Sequence, residues 1–548
     1  MRILITEDLP AHAVRLLRDE GWTVDFLRDM PGKSLQDVIA GYDAIVVRSG
    51  TRVTEAILER ARRLRVIGRP GAGVDNIDVE AATRRGVLVM NTPGQNSIAA
   101  AEHALALMLC ALRNLYPAIQ SMKQQQWERR RFIGNELTGK TVGIVGLGRV
   151  GRELAHRLRA LHAHILAYDP YVPLRIAREM DVELVELHEL LARSDIVSLH
   201  IPLTPETRHM FNWDRFQQMK RGSILVNCAR GEVIDEAALV RALDEGILRM
   251  AALDVFSEEP PRDWTVITHP RVIATPHIGG STVEAHEKVA LQIAIQIRDY
   301  LKYGVIGNAV NFPSVPETAR PLVSAFMRLG YALGQIAHQL TDFRIQSVQI
   351  EYLGTVAQKE TRPILAAVVA GVLRPAMGDE VNWVNAIALA EDRGLMLIEQ
   401  RQIRSYLYEN LLRVSLLGSA GEVVTVDGTV IPPGRMRLVT VWNATVDVPM
   451  HAQMVIVRNR DVPGAIGNIG LCLGRSGINI GYFGLARLDD SGEAVGVMDV
   501  DQPVEPHVLN ALRDLPMVLD ARYVRVELEP PVIAHESPVS LAGSNHAP

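Results

Sequence analysis

The stretch TVGIVGLGRVGRELA, residues 141–155, constrains this chain more than any other. It sets Gly146-x-Gly148-x-x-Gly151 directly after a β-branched apolar run and directly before a helical pattern. Three glycines at this spacing carry little alone. The order strand, turn, helix is what matters. Gly146 permits the tight turn, Gly148 lets backbone approach a pyrophosphate, and Gly151 lets the helix pack against the sheet. Unpaired N–H groups and the dipole at the helix start favour the anion. The next predicted strand, HILAYD, ends in Asp169, 18 residues after Gly151. A carboxylate there accepts from ribose hydroxyls and repels a 2′-phosphate, so NAD is expected over NADP.

A chain of 548 residues has room for three or four domains at roughly 150 residues each. Residues 1 to about 96 alternate short strands (RILIT, WTVDFL, AIVVRS, LRVIGR, VLVMNT) with helical spacing, which predicts a parallel α/β lobe. A long helix is expected over Ser97–Leu115, with Asn96 or Ser97 as its cap. Residues 141–280 predict a second α/β lobe with strands TVGIVGL, HILAYD, IVSLHI, SILVNC, MAALDVF and VIATPH. A helix from about Thr282 to Tyr300 and a strand or linker over 308–315 return the chain to the first lobe. Residues 315–450 read as α+β. Residues 451–527 read as βαββαβ, a ferredoxin-like domain. The Pro-, Ser- and Ala-rich tail, 528–548, is expected to be disordered.

Three polar features fall at the ends of later strands in the second lobe. Arg230 follows SILVNC, Glu258 and Glu259 follow MAALDVF, and His277 follows VIATP, between a proline and two glycines. Ligands of open α/β sheets bind beyond the carboxyl ends of the strands. Hydride transfer between a nicotinamide and an alcohol or ketone needs this set. Histidine moves the proton near neutral pH, a carboxylate orients it, and a guanidinium grips a substrate carboxylate. Each residue alone has a bland reading as an ion pair, a solvated turn or a helix cap. Three together on one lobe favour chemistry.

Composition narrows the classes. A net charge of -5 argues against a chain-wide nucleic-acid footprint. Cys110, Cys228 and Cys472 are far apart, with no disulfide or zinc spacing, and each is expected to be a buried thiol. No metal site is expected. The longest apolar stretch, Ala99–Leu112, is interrupted by Glu102 and His103 and is too short to span a bilayer. The N-terminus shows no secretion pattern, so a cytoplasmic protein without membrane or nucleic-acid partners is the expectation.

GLGRVG, NCARGEVID, ALDVFSEEP and TPHIGG together resemble the D-2-hydroxyacid dehydrogenase family. VVRSGTRVT, VIGRPGAGVDNIDVEAAT and VMNTPGQNS in the first lobe extend the match over residues 1 to about 310, and the remainder resembles the family's long form. The resemblance implies an α/β fold of two doubly wound parallel-sheet lobes. These are a discontinuous substrate-binding domain (1–96 and 290–312) and an inserted Rossmann domain that binds NAD (97–289). An intervening regulatory domain (315–450) and an ACT domain (451–527) follow.

It implies that His277 is the acid/base, supported by Glu259, with Arg230 on the substrate. Ala72, Arg149, Val150, Asp169, Ile201, Cys228, Ala229, Arg230, Asp254, His277 and Gly280 fall where the family contacts NAD, Asp254 on the nicotinamide carboxamide. Ala72 and Ile201 stand where close relatives often have threonine, which removes a hydroxyl from each. Arg48, Arg69 and the Gly71–Gly73 loop fall near the substrate, whose phosphate would also meet Arg129 from WERRRF, reaching across a dimer interface; a solvated charge run is the alternative. The implied substrate is 3-phospho-D-glycerate, bound between lobes that close over it. Glyoxylate, hydroxypyruvate or another 2-ketoacid is the alternative substrate, and an NAD-sensing partner protein without enzymatic activity the alternative class. Asp461 and Asn479 fall at ACT effector positions, implying L-serine as effector, although Asn459 replaces a tyrosine of some serine-inhibited relatives. A domain that only dimerises is the alternative. A homo-oligomer, dimer or tetramer, is expected.

Overall fold

The structure is a computed structural model, and it describes residues 1–405, 408–488 and 491–528. The tail expected to be disordered lies outside the described residues apart from Leu528. Two compact units emerge: Met1–Asn91 with Ile293–Pro548, and Thr92–Gln292.

In the first unit, β1 (Arg2–Ile5), β2 (Thr23–Phe26), β3 (Ala44–Val46), β4 (Val66–Arg69) and β5 (Leu88–Asn91) form a parallel sheet in the order β2-β1-β3-β4-β5. Burial on both faces explains their apolar, β-branched runs. The order reverses between β1 and β3, which makes that point a natural ligand crevice.

The second unit holds seven parallel strands: β6 (Thr141–Val145), β7 (His164–Tyr168), β8 (Glu183–Leu184), β9 (Ile196–Leu199), β10 (Ser223–Asn227), β11 (Leu248–Leu253) and β12 (Val272–Ala274). Their order is β12-β11-β10-β9-β6-β7-β8. The sheet reverses between β6 and β9, so the glycine turn after β6 sits at the switch point. Helices cover both faces. Leu190, Phe216, Leu239 and Leu243 are buried on one side, and Ala104, Met108, Leu154 and Leu158 on the other. The two-residue β8 gave no apolar signal in the sequence.

The helix expected over Ser97–Leu115 stops at Leu112. Asn114 adopts φ +49°, the left-handed conformation asparagine tolerates. A second helix, Leu115–Lys123, then leaves at 66° to the first. Among the described residues no single helix is long and apolar enough to cross a membrane. The long helix Val283–Tyr303 starts in the second unit and continues into the first from Ile293. Of the stretch expected as strand or linker over 308–315, Ala309 makes one antiparallel bridge to Met90.

The rest of the first unit contains two further sheets. The strands β13 (Ser347–Gly354), β14 (Met396–Gln402), β15 (Asn410–Leu417), β16 (Val423–Ile431), β17 (Arg435–Val441) and β18 (Ala444–Pro449) pair in the order β14-β13-β15-β16-β17-β18. The helices Arg320–Gln339 and Arg362–Met377 lie against one another. The last sheet pairs β19 (Gln453–Arg460), β20 (Ile480–Leu488), β21 (Glu493–Val500) and β22 (Val518–Arg525) in the order β20-β21-β19-β22, all antiparallel. With helices Ala465–Arg475 and Pro506–Arg513 this is the βαββαβ pattern.

The three cysteines correct one expectation: each is partly exposed rather than fully buried. Each packs against the margin of a hydrophobic core rather than inside it. Burial of the Cys228 sulfur, with the nearby Asp254 charge, still pushes that thiol well above its ordinary range.

Candidate functional site

The turn after β6 has the geometry its glycines predict. Gly146 takes φ +97°, and a Cβ there would lie 2.6 Å from the carbonyl oxygen of His200. A Cβ on Gly151 would lie 2.2 Å from the Gly146 carbonyl oxygen, so only glycine lets the helix start this close. Space beside Gly148 is open, with nothing within 4 Å of a Cβ. Gly148 begins the helix Arg149–Ala160, and no side chain caps that end. An open, uncapped helix N-terminus fits a pyrophosphate. Asp169 stands at the end of β7, half-buried, accepting from Leu147 N at 2.8 Å and Tyr171 N at 2.9 Å. It therefore stiffens the turn. Arg149 folds back to donate to the Pro93 carbonyl oxygen. Val150 is the second residue of the helix, and Ile201 lies against Gly146.

At the end of β10, Asn227 is fully buried. It ties the following turn by accepting from Ala229 N at 3.0 Å and donating to the Arg230 carbonyl at 2.9 Å. The Arg230 guanidinium donates to the Ala229 carbonyl at 2.7 Å. Its charge is close enough to oppose protonation of His277.

Beyond β11, the two glutamates separate. Glu258 pairs with Arg262 at 2.9 Å on the surface. Glu259 turns inward, accepts from Phe256 N at 3.0 Å and meets His277 Nδ1 at 2.5 Å. His277 takes φ +52°, an uncommon conformation for a histidine, and its amide donates to the Asp254 carbonyl at 2.9 Å. The Glu259 hydrogen bond raises the His277 pKa above its ordinary value, against burial, which lowers it. His200, at the end of β9, is the contrasting case. Burial pushes it down to about 4, so it is neutral at physiological pH. Its ring nitrogen lies 2.9 Å from the Ser198 hydroxyl. Of these two histidines, His277 is the one whose partner favours the protonated ring, and Glu259 engages it through Nδ1.

Asp254 is 1% exposed. Burial acts to raise its pKa, but hydrogen bonds from His103, Thr275, Ile278 and Gly279 outweigh burial and lower it. The sequence assigned this carboxylate to a nicotinamide amide. In this structure its oxygens also hold the 275–279 loop. Gly280 passes the side chain of Asn96, 2.8 Å from a Cβ position. The sequence reading missed His103, Thr275 and Asn96 as parts of this site. The signal for His103 was present as a polar break in an apolar helix.

In the other unit, Arg48 follows β3 and Arg69 ends β4, both at the carboxyl edge. Glu7 accepts from Arg48 N at 3.2 Å and from the Thr51 hydroxyl at 3.0 Å. Asn76 donates to the Arg48 carbonyl at 2.9 Å. Arg69 folds over Gly71, donating to the Pro70 carbonyl at 3.0 Å. Asn91 ties the loop through the Ala72 carbonyl at 2.6 Å, next to Gly73. Arg129 opens the short helical turn Arg129–Phe132 and is exposed.

In the last domain, Asp461 is paired with Arg487 at 2.8 Å. Asn479 donates to Asp501 at 2.6 Å, and its amide donates to Gln502 at 2.8 Å. Asn459 is 2% exposed, with Oδ1 lacking a hydrogen-bond partner.

Residues 105–279 match the family model for the D-isomer specific 2-hydroxyacid dehydrogenase NAD binding domain. Residues 322–442 match the D-3-phosphoglycerate dehydrogenase intervening domain. The chain is 38% identical to D-3-phosphoglycerate dehydrogenase of Methanocaldococcus jannaschii, over 96% of this chain and 100% of the relative. Among solved structures, a Thermus thermophilus protein is 33% identical with a TM-score of 0.51, covering 57% of this chain and 100% of its own. A glyoxylate reductase from Paecilomyes thermophila is 31% identical with a TM-score of 0.50, covering 57% and 98%. Each solved structure covers little more than half of this chain, whereas the Methanocaldococcus jannaschii relative is aligned over 96% of it. With a relative aligned over its full length and the intervening-domain model on the third sheet, this chain belongs to the D-3-phosphoglycerate dehydrogenase family of NAD-binding D-2-hydroxyacid dehydrogenases.

Proposed function

We propose that this chain oxidises 3-phospho-D-glycerate to 3-phosphohydroxypyruvate, the first step of phosphorylated L-serine synthesis, with NAD as cofactor. The observation that carries the reading is the His277–Glu259 pair at 2.5 Å, beyond the strand ends of the lobe whose glycine turn fits a dinucleotide. When bound, NAD supplies the hydride acceptor. His277 Nε2 takes the hydroxyl proton as the C–H bond at C2 breaks. Glu259 holds Nδ1–H and stabilises the imidazolium. Arg230 takes the substrate carboxylate in a fork of two hydrogen bonds. Arg48, Arg69 and Arg129 supply charge for the phosphate, and the Gly71–Gly73 loop supplies amides. Val150, Cys228, Ala229 and Gly280 line the cofactor through backbone, and Asp169 selects NAD.

In this reading residues 1–96 with 290–312 bind substrate, 97–289 bind NAD, 315–450 are regulatory and 451–527 form an ACT domain. L-serine is the effector at Asp461 and Asn479, which requires Arg487 to release Asp461. The protein is a cytoplasmic homo-oligomer. Support comes from Tyr116, Ile119 and Met122, which share one face of the helix Leu115–Lys123 and are half exposed or more, an apolar stripe that a second copy would cover. A second reading, glyoxylate reduction, is favoured by the likeness to a glyoxylate reductase.

The test is NADH production from 3-phosphoglycerate, beside NADH-linked reduction of glyoxylate, each with and without L-serine. Turnover of the phosphorylated substrate, inhibited by serine, is expected. Turnover of glyoxylate alone overturns the first reading. Turnover indifferent to serine keeps the enzyme and removes the effector.

A further inference from the structure

His277 lies on a loop that does not take its shape from local preference. A histidine at φ +52° is strained, so surrounding structure must hold it there. Asp254 accepts from Thr275 Oγ1 at 2.6 Å, Ile278 N at 2.8 Å and Gly279 N at 2.7 Å, on both sides of His277. A Cβ on Gly279 would stand 2.9 Å from Asp254 Oδ2 and 3.7 Å from His103 Cδ2. The loop is therefore seated on the carboxylate as closely as backbone allows.

One side chain closes this arrangement from the helix Ser97–Leu112. His103 Nε2 lies 3.1 Å from Thr275 Oγ1 and 3.3 Å from Asp254 Oδ1. Its side chain is 18% exposed. The neighbouring Glu102 turns the other way, to Arg157 at 2.9 Å. Of the two polar residues that break this apolar helix, one faces outward and the other faces the loop.

The proton count fixes the role of Nε2. The Thr275 hydroxyl donates its only proton to Asp254, and Asp254 is ionised. Both neighbours of Nε2 are therefore acceptors, and Nε2 must carry a proton. We propose that His103 is a positioning residue for the reaction. Its Nε2–H braces Thr275 and Asp254, and these fix the loop that aims His277. His103 touches neither His277 nor the reacting atoms. The inference rests on the reading of His277 as the acid/base.

The experiment compares His103→Ala, His103→Gln and Thr275→Val in the full chain, with His277→Ala alongside. Because misplacing a catalytic group by about 1 Å costs up to about a hundredfold, His103→Ala is expected to lower kcat roughly tenfold to a hundredfold. Thr275→Val, which removes the hydroxyl between His103 and Asp254, should lower kcat in the same direction. KM for NAD should change far less, and the glutamine variant, whose amide N–H can replace Nε2–H, should recover most of the loss. Unchanged kcat in His103→Ala, or a loss that glutamine does not recover, overturns the proposal. If His277→Ala retains wild-type kcat, the acid/base reading fails instead. Should His103→Ala not fold, 15N NMR of histidine-labelled wild-type protein decides. A His103 imidazole protonated at Nε2 is expected, and one unprotonated there overturns the brace.

Discussion

His277 and Glu259 form a pair whose chemistry is set by one hydrogen bond. Glu259 raises the His277 pKa, so the neutral base needed for alcohol oxidation appears only as pH climbs through that raised value. In Glu259→Gln the acid limb of kcat/KM for oxidation is expected to shift to lower pH, and an unmoved limb in a pH–rate profile would remove Glu259 from the pair. The sign for stability runs the other way. The pair contributes fully below the ordinary histidine pKa, and its contribution fades as pH rises through the raised folded value. Both side chains are about a third exposed or more, so solvent screening keeps that contribution small. In the proposed reaction His277→Ala removes the proton acceptor. Its kcat should fall by about two to four orders of magnitude, with the dissociation constant for NAD, read by fluorescence titration, nearly unchanged.

At the scale of elements, helix faces do work that sequence periodicity did not reveal. Gln335 and Gln339 sit one turn apart on the helix Arg320–Gln339. The Gln335 amide accepts from Glu527 N at 3.0 Å and donates to the Glu527 carbonyl at 3.3 Å. Gln339 does the same with Arg525, at 3.0 and 2.8 Å. Two side-chain amides thus pair with the free backbone edge at the end of β22 and just beyond it. Replacing Gln335 by alanine strips partners from a part-buried backbone pair, at about 1–3 kcal/mol. The double variant Gln335→Ala with Gln339→Ala should unfold its C-terminal sheets at lower denaturant, by circular dichroism, while serine-free turnover stays at the wild-type rate. Coincident loss of turnover would show that the dehydrogenase lobes depend on this clamp. Both glutamines read as ordinary polar positions in the sequence, because the strand they cap lies nearly two hundred residues away.

For the molecule as a whole, the lobe carrying the glycine turn is where cofactor binding couples to folding. NAD at about a hundred times its dissociation constant adds about 2.7 kcal/mol to whatever unfolds with its site. Thermal unfolding should therefore shift upward with NAD and much less with NADP, since the proposed role of Asp169 is to repel the extra phosphate. Equal shifts with both would remove Asp169 as the selector, and Asp169→Ala should narrow the difference.

Elements whose signals are local can be read from the residues alone. A strand, three glycines and a helix must make this turn, since the spacing of the glycines answers needs that arise within the turn itself. Alternating apolar runs specify the parallel sheets, because strands buried on both faces need no distant information. The helix break at Asn114 was missed, since its left-handed conformation interrupts an apolar pattern that otherwise continues. Composition could not tell the adjacent glutamates apart; the family resemblance chose Glu259, and the path of the chain after β11 turns Glu259 to His277 and sends Glu258 to Arg262. The brace at His103 and Thr275 spans 172 positions. Tertiary structure alone decided it, because a hydrogen bond needs two groups within about 3 Å, and chain separation carries no record of that.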